Sequence, residues 1–189
     1  MLDIHVSPHR LRHAARTLAD GGIVAHATEG VWGLAADAYD ADAVWRVLAA
    51  KQRDVSRGLI VVAADAAQLA PLVDPAADTA WRRAVEAWPG AVTWLLPARA
   101  DAPRWLTGGQ PTIALRETAH GLTRALCHAF GGPIVSTSAN VTGCPPVTST
   151  WRARARFGDR VDMVLGGRLD TPGRASTIRD ACTNEVIRG

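Results

Sequence analysis

The sequence predicts an α/β fold, with one domain built on a mixed sheet and helices flanking it. Three observations predict this. Short apolar runs of strand length alternate with segments of helical periodicity through most of the 189 residues. The run Leu59-Ile60-Val61-Val62-Ala63 is apolar without a break, as in a strand buried on both faces of a sheet. Three polar loops, 28–33, 51–58 and 136–146, interrupt the apolar elements, and loops at strand ends are where α/β proteins build their ligand sites.

In chain order, Ser7-Pro8 reads as a helix N-cap followed by proline at the first helical position, and Gly21-Gly22 closes that helix. Residues 23–27 form a strand-length apolar run that enters the Thr28–Gly33 loop, where two glycines bracket polar and aromatic residues. Asp40 or Asp42 caps a helix whose Val44, Val47 and Leu48 share one face, and this helix runs out at Lys51. After the 59–63 strand, residues 65–72 and 79–88 read as helices, and Pro89-Gly90 as a turn. Residues 92–96 and 112–116 are strands, with 102–109 a loop between them. Leu122, Ala125, Leu126, Ala129 and Phe130 follow helical spacing up to Gly131-Gly132. A short strand at 133–135 runs into Ser136-Thr137-Ser138-Ala139-Asn140. A helix at 150–157 and strands at 161–165, 176–179 and 185–188 complete the chain.

Composition narrows the function classes. The chain is 48% hydrophobic and 21% charged, as in ordinary soluble proteins, and no apolar run approaches a membrane span. The N-terminus lacks the order of a signal peptide. Cys127, Cys144 and Cys182 are widely spaced, and free thiols in a reducing cytoplasm are the simplest account of them. Net charge is −2 over residues 1–94 and +5 over 95–189, which is compatible with phosphate or nucleic-acid binding.

Lys51 is the only lysine; the other basic residues are all arginine. An ammonium is a compact charge on a flexible stem, whereas a guanidinium is a planar fork. Lys51, Arg53 and Arg57 place three cations within seven positions, either a polyphosphate cradle or a solvated basic turn partnered by Asp54. Ser136, Thr137, Ser138 and Asn140 offer hydroxyls and an amide after a strand; they suit phosphate and sugar or amino-acid hydroxyls, or bond to their own turn. Neither a P-loop, a dinucleotide fingerprint nor a serine-hydrolase elbow is present. His5, His9 and His13 read as a solvated helix face, and no metal site is expected. His26 reads as a strand residue with a local hydrogen bond. Arg152, Arg154, Arg156 and Arg160 spread over more than one helix face, as on a solvated surface.

The ordered set of Ala27–Leu34, Lys51-Gln52-Arg53, Trp88–Thr93, Pro103–Gly108, Ala114-Leu115-Arg116, Ser136–Asn140, Gly143–Pro146 and Ser176–Asp180 resembles the YrdC family. The likeness is to its short, single-domain branch, the threonylcarbamoyl-AMP synthases. It implies one YrdC-like domain over residues 1–189, with a twisted sheet and a deep basic ligand cleft. It also implies an enzyme that joins L-threonine, bicarbonate and ATP into threonylcarbamoyl-adenylate, releasing pyrophosphate. Mg²⁺ would accompany ATP. Proteins that modify adenosine beside the tRNA anticodon would take the product, and direct tRNA or RNA contact is a further expectation.

By the same resemblance Lys51, Arg53, Ser138 and Asn140 hold the nucleotide and its phosphates, with Arg57, Thr112 and Arg188 in the same group. Lys51 and Arg53 are also the expected catalytic cations. Thr28, Ser136, Arg116 and Ser176 face threonine, with Arg116 the partner of its carboxylate. Relatives often have proline after Lys-x-Arg and a second lysine in that loop, where this chain has Asp54 and Arg57. They often read Pro-Thr-Glu-Thr where this chain reads Ala27-Thr28-Glu29-Gly30, so no hydroxyl comes from position 30. Two other functions share these features: an RNA-binding or ribosome-maturation protein, and a carbamoyl-adenylate-forming domain like that of hydrogenase-maturation proteins.

Overall fold

The computed structural model describes residues 6–141, 143–145, 147–171, 173 and 176–188. Its frame is one nine-stranded mixed sheet, which contains β1 (Val24–Ala27), β2 (Trp32–Asp37), β3 (Ile60–Ala63), β4 (Val92–Pro97), β5 (Thr112–Glu117), β6 (Ile134–Ser138), β7 (Met163–Gly166), β8 (Thr177–Asp180) and β9 (Val186–Arg188). Across the sheet the order is β7-β1-β2-β6-β3-β5-β4-β8-β9. Three neighbouring pairs run parallel: β1 with β7, β3 with β5, and β4 with β8.

The helices are α1 (Pro8–Ala19), α2 (Ala41–Lys51), α3 (Asp78–Ala87), α4 (Arg104–Thr107), α5 (Gly121–Phe130) and α6 (Thr150–Phe157). The expected caps are in place. Ser7 Oγ accepts from the Arg10 amide at 3.4 Å, and the Asp40 carboxylate accepts from the Ala43 amide at 3.1 Å. No described helix is long and apolar enough to cross a membrane. His9 and His13 are exposed on α1; His5 lies outside the described residues.

Because side chains alternate across a strand, successive residues feed two separate cores. Val61 and Ala63 join a large cluster with Val44, Val47 and Leu48 of α2, Ala80 and Ala84 of α3, and Phe157 of α6. Val62 and Ala64 face the other way, toward Ala14 and Leu18 of α1 and Leu122 and Leu126 of α5. Each fully buried leucine contributes roughly 1.5–3 kcal/mol relative to exposure.

Several expectations are corrected. Trp32 and Gly33 belong to a strand, β2, and not to the loop that precedes it. Its sequence, Trp-Gly-Leu-Ala-Ala-Asp, has no alternation and weak strand propensity; burial by β1 and β6 on either side makes it a strand. Ser136, Thr137 and Ser138 are likewise the end of β6. Residues 66–68 and 70–72 form two short 3₁₀ turns where one helix was expected, because Pro71 has no amide to extend an α-helix. The expected loop at 102–109 contains α4.

Candidate functional site

The helices that cover the α1/α5 face leave part of it open. On that same face β3 presents Ile60, β5 presents Thr112, Ala114 and Arg116, and β6 presents Ser136 and Ser138. The register pairs Ile60 with Ala114, Val62 with Arg116 and with Ile134, and Gly33 with Ser138. These small, hydroxyl and cationic side chains floor a cleft of about 340 Å³. Gly33 matters because a Cβ there would lie 3.1 Å from Thr28 Cγ2 and 3.3 Å from Ser136 Oγ.

Of the expected site residues, Thr28, Arg53, Arg57, Thr112, Arg116, Ser136, Ser138, Ser176 and Arg188 line this cleft. They come from both halves of the chain, and the sheet order brings them together. Lys51 and Asn140 stand one layer behind. Lys51 ends α2 and is 2% exposed. Its ammonium donates to the carbonyl of Ser138, to the Asn140 carbonyl at 2.9 Å and to Asn140 Oδ1 at 3.2 Å. Ser138 Oγ donates to Asn140 Oδ1 at 2.6 Å, and Asn140 Nδ2 reaches the Cys144 carbonyl at 2.9 Å. The single lysine therefore fastens the turn after β6 to the end of α2. Of the Gly143–Pro146 segment, Pro146 lies outside the described residues.

The 51–58 loop is pinned from the other side. Gln52 takes the left-handed conformation (φ 51°) that turns the chain out of α2. Arg53 Nη2 donates to the carbonyls of Arg57 (3.3 Å) and Gly58 (2.8 Å), while its buried Nε has no hydrogen-bond partner. The Leu59 amide bonds the Leu106 carbonyl at 2.9 Å, docking the loop on α4. Gly108, at φ +68°, permits this contact: a Cβ there would meet the Ser56 carbonyl oxygen at 2.6 Å. Arg188 Nη2 bonds the Ser176 carbonyl at 3.1 Å, and Ser176 Oγ accepts from Thr93 Oγ1 at 3.3 Å.

The cleft is electrically one-sided. Burial, followed by the charges of Arg53 and Arg57, pulls the Lys51 ammonium down to about 8. Burial, then Arg57 and Arg188, lowers the Arg53 guanidinium; burial, then Arg116, lowers that of Arg188. Glu29 is the one carboxylate among the described lining residues. Its Oε2 lies 3.3 Å from Arg116 Nη2, and its Oε1 accepts from Thr118 Oγ1 at 2.6 Å. Burial alone would raise the Glu29 carboxyl, but Arg116 and the Thr118 hydrogen bond outweigh it and hold the group below the usual range.

Sequence reasoning passed over Glu29, Thr118 and His120. The His120 amide donates to Thr118 Oγ1 at 3.1 Å, and its ring bonds Thr123 Oγ1 and the Arg168 carbonyl. The available signal was Glu29 itself, the one acid in the Thr28–Gly33 loop. His26 is fully buried in β1, with Nδ1 2.9 Å from the Ala27 carbonyl oxygen, as expected. Its Nε2 has no partner.

A family profile for Sua5, YciO and YrdC proteins, described as telomere recombination, matches residues 16–189. The chain belongs to the Sua5/YciO/YrdC family. Within it, the chain is 43% identical over 188 residues to a Cellvibrio japonicus protein named threonylcarbamoyl-AMP synthase, covering 100% of this chain and 99% of that one. A Halorhodospira halophila protein of the same name is 47% identical over 182 residues, covering 96% and 95%. Among solved structures, P. abyssi Sua5 complexed with L-threonine superposes with a TM-score of 0.82 at 36% identity, covering 90% of this chain and 50% of that chain. This chain therefore spans about half of that Sua5.

Proposed function

We infer that this chain is a threonylcarbamoyl-AMP synthase, a nucleotidyltransferase that makes L-threonylcarbamoyl-adenylate and pyrophosphate from L-threonine, bicarbonate and ATP. The observation that carries the reading is a cleft whose described lining has four arginines and one carboxylate, in a chain similar over its whole length to proteins of that name. Such a cleft favours a substrate with several negative charges.

The threonine amine and bicarbonate give a carbamate and water. A carbamate oxygen then attacks the α-phosphorus of ATP, the bond to the β-phosphate oxygen breaks, and pyrophosphate leaves. Carbamate and triphosphate repel each other, and charge accumulates on the leaving group. Arg53 and Arg57 offset both effects from the 51–58 loop, and Arg188 does so from β9. Ser138 and Asn140 offer hydrogen bonds to the phosphates, with the Lys51 charge directly behind them, and Thr112 lies further along β5 on the nucleotide side. Arg116 takes the threonine carboxylate, with Thr28, Ser136 and Ser176 around its hydroxyl. Catalysis here is positioning and electrostatics; Glu29, held ionised, is a poor base near neutral pH.

Among the described residues no three histidine, cysteine or acidic side chains converge as a metal site. Mg²⁺ would enter with ATP as part of the substrate and would offset phosphate charge there. The product passes to proteins that modify adenosine beside the anticodon of tRNA in the cytoplasm, where a direct tRNA contact would add a salt-dependent affinity.

The test is pyrophosphate release from ATP. Release should require both L-threonine and bicarbonate. Release without threonine overturns the reading, and release dependent on carbamoyl phosphate assigns the chain to carbamoyl-adenylate formation. Salt-sensitive binding to structured RNA with no release at all points to an RNA-binding protein.

A further inference from the structure

Among the described residues, the Glu29–Arg116 pair is the one place where opposite charges meet on the cleft wall. Its geometry is specific: 3.3 Å between Glu29 Oε2 and Arg116 Nη2, with Glu29 9% and Arg116 5% exposed. The pair is set from behind by Thr118, which donates to Glu29 Oε1 and accepts from the His120 amide. The Glu29 carbonyl accepts from the Thr171 amide at 2.8 Å, so the backbone carrying the carboxylate is also fixed. Arg116 Nε has no hydrogen-bond partner, and the Glu29 carboxylate, which also accepts from its own backbone amide, keeps acceptor capacity beyond these contacts.

A buried ion pair gains little stability over apolar packing, because removing both charges from water offsets most of their attraction. Its position in a ligand cleft calls for another explanation. A free amino acid is a zwitterion whose carboxylate and ammonium are separated by a single carbon. A cation and an anion side by side on one wall match that pattern, charge for charge. The groups facing Glu29 are Arg116 from β5, Thr118 beyond β5, His120 at the cap of α5 and His26 from β1. None of these supplies a second carboxylate.

We propose that Glu29 is the seat of the substrate's α-ammonium, and that together with Arg116 it selects a zwitterionic amino acid. This rests on the threonine-dependent reading above. The pairing also gives the reaction a direction. Glu29 attracts the nitrogen while it is an ammonium. Once the ammonium has released its proton to solvent and the free amine has condensed with bicarbonate to a carbamate and water, the same carboxylate repels the new anion. The carbamate is driven toward Arg53, Arg57 and the α-phosphate. The missing hydroxyl at Gly30 fits this arrangement, since recognition on that side of the cleft falls to the charge of Glu29.

The test is calorimetric binding of two ligands in the presence of a non-hydrolysable ATP analogue. One ligand is L-threonine; the other is its α-hydroxy acid, with a hydroxyl in place of the amino group. The wild-type protein should prefer threonine by about tenfold or more. Glu29→Gln, isosteric and neutral, should lose that preference by weakening threonine while holding or tightening the hydroxy acid. Equal binding of the two ligands by the wild-type protein overturns the proposal, whether or not the variant folds. Undiminished preference in a folded Glu29→Gln also overturns it. If threonine does not bind at all, the threonine-dependent function fails, and the proposal fails with it.

Discussion

Lys51 gives a prediction that can be worked through quantitatively. In the free protein its ammonium is buried among carbonyls beside Arg53 and Arg57, and it titrates near 8 instead of 10.5. Near pH 9 the group is then about 90% neutral. Placing a triphosphate in front of Ser138 and Asn140 adds negative charge beside Lys51 that offsets the Arg53 and Arg57 charges, and this favours the ammonium. ATP binding near pH 9 should therefore take up about 0.9 proton per site, falling to about 0.1 near pH 7. Above pH 8 the nucleotide is already ionised and does not obscure the signal. The assay is titration calorimetry of the ATP complex in two buffers of different ionisation enthalpy. Binding near pH 9 without proton uptake would refute the argument that Lys51 and the phosphates interact. The sign also bears on stability. A lysine with a lowered folded pKa destabilises the fold fully below about pH 8, and this penalty is relieved as pH rises to 10.5.

Further outcomes follow from the same geometry. Lys51→Arg should lower pyrophosphate release tenfold or more, about 1.4 kcal/mol, because a planar guanidinium does not fit the space between the Ser138 and Asn140 carbonyls; unchanged turnover would return Lys51 to an incidental role. Gly108→Ala should destabilise the protein by about 2 kcal/mol in urea unfolding, since its Cβ would meet backbone at 2.6 Å in a left-handed conformation. His26, pushed down to about 4 by burial and then by His120, is neutral in the fold, so stability should be full above pH 6.5 and fall by about 3 kcal/mol as pH drops from 6.5 toward 4. In His26→Asn that acid-side slope should flatten.

Part of the cleft lining is legible in the sequence as local clusters of cations and hydroxyls. Lys51, Arg53 and Arg57 are clustered locally, as are Ser136, Ser138 and Asn140, so both groups can be read without a fold. Periodicity likewise located the faces of α2 and α5. Less legible was what depends on distant partners. β2 has no strand signature of its own and becomes a strand through β1 and β6. Ser136 and Ser138 look like turn residues yet are pleated into β6, which aligns both hydroxyls on the cleft floor. Glu29 was passed over because its meaning lies in Arg116, 87 positions later.

By itself, the sequence determined the α/β class, the caps of α1 and α2, the excess of cations over acids in the C-terminal half, and the family. The first three follow from local propensity, periodicity and composition; the family follows from its resemblance to an ordered set of motifs along the chain. Tertiary structure alone decided three things: which part of one sheet face stays uncovered, that Lys51 turns inward to hold the turn after β6, and that Glu29 meets Arg116. The physical reason is the register between strands remote in sequence. It sets which side chains share a face, and no local pattern encodes it.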